Sequence, residues 1–64
     1  MEMKEARERL EMTQLDLARA AGVTVAAICR YETGKRTPSV RIAKRISKIL
    51  GIPWPDVIDN RKAG

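Results

Sequence analysis

The residues Thr13 to Tyr31, TQLDLARAAGVTVAAICRY, leave this chain little choice of fold. Thr13 stands two positions before the apolar Leu15, and Asp16 follows Thr13 by three. At that spacing a hydroxyl and a carboxylate satisfy each other's orphan amides at a helix start. The helix so opened carries Leu15, Leu17, Ala18 and Ala21 on one face. Gly22 closes it, because a residue without a Cβ enters the left-handed region without steric cost. Thr24 is the next N-cap, and Ile28 and Tyr31, three apart, form the buried stripe of a second short helix. Two short helices are therefore expected, joined by a three-residue turn centred on glycine.

The flanking segments read as helices too. A first helix is expected over about Met3 to Leu10, with Met3, Ala6 and Leu10 on its inner face and Glu5–Arg9 as a favourable i,i+4 pair outside. Met12 should fill the gap between the first and second helices. Thr33-Gly34-Lys35-Arg36-Thr37-Pro38 is a loop, with glycine and proline as punctuation and two cations at its tip. Either Ser39, or Thr37 with Pro38 at the first helical position, caps a fourth helix that runs to Leu50. Its apolar arc holds Val40, Ala43, Ile46, Ser47 and Leu50, edged by Ile42 and Ile49, while Arg41, Lys44, Arg45 and Lys48 take the opposite side. Gly51 ends that helix, and Ile52 to Ile58 reads as a turn and a short fifth helix. The expected fold is all-α: a single compact five-helix domain over 1–64, ordered from about 3 to 58, with 59–64 a flexible polar tail.

Charge is distributed unevenly. Residues 1–22 carry four cations against five acids, whereas residues 23–50 carry seven cations against Glu32 alone, a net +6. A positive field on and after the second helix of the pair suits phosphate binding, although a lysine-rich helix face can also be merely solvated. One cysteine and no histidine argue against an internal disulfide or a structural zinc site, so no metal and no cofactor are expected. No phosphate loop or clustered carboxylate pair suggests an enzyme. The charged N-terminus and short apolar runs give neither signal peptide nor membrane span, and the cytoplasm is the expected compartment.

The pair of helices is the helix-turn-helix pattern. TQLDLARAAGV, Tyr31-Glu32 before Gly34-Lys35-Arg36, Pro38-Ser39, and Ile46 with Leu50-Gly51 together resemble the Cro and phage-repressor class, the lambda-repressor-like fold, over roughly residues 3 to 58. The resemblance implies a DNA-binding transcriptional regulator, with double-stranded DNA as partner. It also implies a largely buried ion pair between Arg7 and Glu32, against the alternative of two independent surface charges. Gln14 matches the family's backbone-contacting glutamine. Two positions depart from the pattern. Glu11 stands where many members place glycine, so its Cβ should be strained and the turn is expected to differ; Pro53 replaces the usual hydroxyl cap of the last helix.

A recognition helix enters the major groove with its N-terminal residues nearest the base edges. Thr24, Val25, Ala26, Cys29, Arg30 and Thr33 are the expected base-facing set. Arg30 alone can grip guanine O6 and N7 bidentately, unless it takes a phosphate instead. Val25 and Ala26 offer apolar contact to thymine methyls, or are small only so that the helix can come close. Gln14, Lys35 and Arg36 are the expected phosphate contacts. Cys29 is open to a redox reading and to the plainer one of a small surface side chain. Ile49, Ile52, Trp54, Val57 and Ile58, with Ile42, exceed what one small core needs. They suggest a homodimer that places two recognition helices about 34 Å apart on a near-palindromic site and acts as a repressor. Trp54 and Ile58 could instead close the monomer core, or Trp54 and the C-terminal isoleucines could dock a protein partner if the chain is an antitoxin-type interaction module.

Overall fold

The three middle helices each begin on a hydroxyl side chain that caps them. The computed structural model describes residues 3–58, and among them the chain forms α1 (Met3–Arg9), α2 (Gln14–Ala21), α3 (Val25–Glu32), α4 (Val40–Leu50) and α5 (Trp54–Ile58), without a strand. The tail expected at 59–64 lies outside the described residues. Thr13 caps α2 in a complete capping box: its hydroxyl accepts from the Asp16 amide at 3.0 Å, and its own amide donates to Asp16 Oδ2 at 3.0 Å. Thr24 caps α3 and Ser39 caps α4, each hydroxyl accepting from the amide three residues on. Ser39, and not Thr37, is therefore the α4 cap. Gly22 and Gly51 close α2 and α4 at φ +72° and +71°, letting the following Val23 and Ile52 amides reach back to Ala18 and Ser47.

The turn after α1 keeps the left-handed geometry despite Glu11. Glu11 sits at φ +56°, so the expectation of a different turn is corrected. The reason is Arg7, whose carbonyl accepts from the Met12 amide at 3.1 Å and whose Nη1 donates to the Met12 carbonyl at 2.7 Å. Two bonds to one residue hold the backbone there against a strain of about 1–2 kcal/mol.

The core is built from Met3 and Ala6 of α1, Leu17, Ala18 and Ala21 of α2, Ile28 and Tyr31 of α3, Ala43, Ile46 and Leu50 of α4, then Ile52 and Val57. Met12 packs at its edge, as expected. Three expected inner residues face outward: Leu10 (51% exposed), Leu15 (46%) and Val40 (46%). Leu10 follows the last turn of α1 and leaves its stripe; Leu15 and Val40 sit in the first turns of α2 and α4, ahead of the packed segment. α4 packs against α5, α2 and α1, whereas α3 packs mainly on α2. That arrangement leaves a whole side of α3 without a neighbouring helix. No described helix is long and apolar enough to cross a membrane.

Candidate nucleic-acid interface

The open side of α3 is what its sequence periodicity demands. Ile28 and Tyr31 turn inward and are buried, whereas Val25, Ala26, Cys29 and Arg30 are all exposed, as are the caps Thr24 and Thr33. All six expected base-facing residues are thus exposed. Their polar groups are not equally available. The Thr24 hydroxyl oxygen accepts from the Ala27 amide at 3.1 Å, which leaves its proton free to be donated outward. Thr33 donates its proton back to the Cys29 carbonyl at 2.9 Å, so only its oxygen lone pairs face solvent. Arg30 stands about 7.5 Å along the axis from Val25 and is the one long cation on the face.

The loop cations are placed by backbone, not by chance. Gly34 adopts φ +75°, and the Lys35 and Arg36 amides both donate to the Arg30 carbonyl, at 3.0 and 3.2 Å. This folds the loop back over the end of α3 and sets two exposed cations beside it. Groups so placed can hold two phosphates flanking whatever α3 touches.

Behind α3 lies a buried ion pair. Arg7 Nε donates to Glu32 Oε2 at 2.7 Å and Nη2 to Oε1 at 3.2 Å, with side chains only 10% and 3% exposed. The two independent surface charges considered as an alternative are therefore not what forms. The hydrogen bond that Arg7 donates to the Glu32 carboxylate raises the Arg7 pKa above its ordinary value. Gln14 joins the pair: its Nε2 donates to Glu32 Oε1 at 3.1 Å. One carboxylate thus ties α1, the start of α2 and the end of α3 together.

Two further features, besides the Gln14–Glu32 bond, escaped the sequence. Arg45 does not simply share the solvated side of α4; its Nη1 donates to the Ala21 carbonyl at 3.5 Å, putting a cation on the C-terminal end of α2. Lys44 lies over the Trp54 ring at 5.7 Å. No spacing rule would have found either, since each joins residues on different helices. The expected dimer set also needs correction. Val57 (0% exposed) and Ile52 (9%) are spent in the monomer's own core, because the turn after Gly51 folds α5 back onto α4. Ile49 and Ile58 are half-buried against that core, and Trp54 keeps 38% of its surface in solvent.

The sequence profile of the helix-turn-helix family matches residues 3–57. An HTH-type transcriptional regulatory protein of Methanocaldococcus jannaschii is 40% identical over 57 residues, which is 89% of this chain and 18% of that relative. An uncharacterized HTH-type transcriptional regulator of Methanothermobacter thermautotrophicus is 41% identical over 49 residues, 77% of this chain and 71% of the relative. Another from Archaeoglobus fulgidus is 34% identical over 55 residues, 86% and 78% respectively. This chain therefore spans under a fifth of the first relative and about three quarters of the other two. No solved structure matches it significantly.

Proposed function

Because the chain belongs to the lambda-repressor-like helix-turn-helix family, we propose that this DNA-binding transcriptional regulator reads the major groove with α3 and represses by occupying an operator as a dimer. The observation that carries the reading is the uncovered face of α3, flanked by Lys35 and Arg36. Thr24, Val25, Ala26, Cys29, Arg30 and Thr33 meet base edges, and Gln14, Lys35 and Arg36 grip the backbone. Arg30 selects a guanine, while Val25 and Ala26 favour neighbouring thymines through their methyl groups. The domain's longest extent is 24 Å, less than the roughly 34 Å between major-groove faces one turn apart. One copy therefore reads one half-site, and a palindromic operator needs two. Ile49, Trp54 and Ile58 are the apolar residues left to join them.

Selection of bound sequences from a random duplex pool tests the reading directly. The expected result is an enriched half-site containing a guanine, with the logarithm of affinity falling against the logarithm of salt at about −0.9 per phosphate neutralised. Equal indifference to all duplexes at low ionic strength would end it. Arg30→Ala should cost affinity mainly on guanine-bearing sites; a uniform loss on every sequence would move Arg30 from bases to phosphate.

A second reading, an antitoxin-type module whose main partner is a protein, would dock on Trp54 and the C-terminal isoleucines, and a groove offers a further surface. Leu10 is exposed beside a groove of about 290 Å³ lined by Ala6, Arg9, Leu50, Gly51 and Ile52. Tight capture of a protein with no duplex binding would favour this alternative.

A further inference from the structure

Gln14 presents a constraint that its role as a phosphate contact does not by itself require. Its carboxamide faces Glu32, and a carboxylate can only accept, so the amino group and not the carbonyl must point at Oε1, as the 3.1 Å contact has it. One of the two Nε2 hydrogens is thereby engaged. The Gln14 side chain makes no other hydrogen bond among the described residues and is partly exposed at the first turn of α2. Its second hydrogen is left for an acceptor outside the protein. A phosphate oxygen is such an acceptor, and the first-turn amides of α2 beside it favour an anion. Glu32 would ordinarily repel a phosphate at that range. Here Arg7 neutralises it with two hydrogen bonds, and the Glu32 side chain is only 3% exposed.

We propose that Glu32 is the positioning residue of the phosphate grip: charge-neutralised by Arg7, it fixes the Gln14 amide so that the free N–H meets a DNA phosphate. The inference rests on the reading of the chain as a duplex binder. It adds that the pair holding the fold together also pre-organises the grip, so that the amide's rotamer is set before DNA arrives.

A phosphate contact is indifferent to sequence, so a short duplex of mixed sequence at low salt is a sufficient probe. Gln14→Ala is measured in two backgrounds, the native chain and an Arg7→Met, Glu32→Leu chain in which apolar residues replace the pair, with folding of all four proteins verified by circular dichroism. A hydrogen bond to a charged group corresponds to a loss of about tenfold or more for Gln14→Ala in the native background. Without Glu32 the loss should shrink below about threefold, because an unheld amide contributes little. Equal losses in both backgrounds would overturn the positioning role, and so would no loss in the native one. Failure of the native chain itself to bind duplex would instead fell the reading beneath it. A second measurement needs no variant. In the 15N spectrum of the wild-type chain one Gln14 side-chain hydrogen should exchange slowly before DNA is added, and the other should shift on titration. Two hydrogens that exchange alike, or that both stay unmoved by duplex, would also overturn the proposal.

Discussion

Arg7 ties two parts of the molecule together: it donates to Glu32 at the end of α3, and in the turn after α1 it holds Met12 twice, its guanidinium donating to the Met12 carbonyl and its own carbonyl accepting from the Met12 amide. Removing one partner of so buried a pair leaves a charge without compensation, so Arg7→Ala should cost about 3–5 kcal/mol in urea unfolding. Exchanging both partners for apolar residues should recover most of that loss. If Arg7→Ala proved near neutral, the bridge would not be holding α1 to α3. Glu11 is the complementary case. It bears left-handed strain that glycine would not, and relieving it should stabilise the protein by up to about 1 kcal/mol, the gain being reduced by glycine's greater backbone entropy. A lowered urea midpoint for Glu11→Gly would count against strain at that turn.

At the scale of the helix, α2 depends on its capping box in a way that pH can read. Asp16 is held below the ordinary carboxylate range, first by the Thr13 backbone amide and then by the Thr13 side chain. The folded pKa is thus lower than the unfolded one. The stabilisation is then complete above about pH 4, where an unfolded Asp has ionised, and is lost as pH falls through the depressed folded value. Urea midpoints of native and Asp16→Ala chains should therefore converge on acidification. A gap that stayed constant below pH 4, within the range where both still fold, would show that Asp16 acts by something other than its charge. Thr13→Ala should cost about 1 kcal/mol at neutral pH through the lost cap. Because α2 packs on both α3 and α4, loosening its start also loosens the seat of Gln14.

For the whole molecule, the division of the C-terminal apolar residues into core and surface matters most. Val57 is wholly buried, so Val57→Ala should destabilise the monomer by about 1–3 kcal/mol. Trp54 is partly exposed under Lys44, and Trp54→Ala should weaken self-association more than folding. Sedimentation at several concentrations and urea unfolding of both variants separate the two effects. A native chain that sediments as a monomer, free and on duplex, would remove the dimer from the proposal.

Local chemistry was enough to determine the five helices, the caps of α2 and α3 and the outward set on α3, because each is written in spacings within a single turn or two: Thr13 to Asp16, Thr24 to Ala27, Ile28 to Tyr31. The likeness to known domains supplied the Arg7–Glu32 pair, which no local spacing contains. Tertiary structure alone decided that Leu10, Leu15 and Val40 face solvent, that Val57 is core, that Arg45 reaches Ala21, and that Gln14 is held by Glu32. The physical reason is range. A helix's own periodicity says which residues share a face, but how far along that face a neighbour covers it, and which distant side chain meets which backbone end, follows only from how the helices cross.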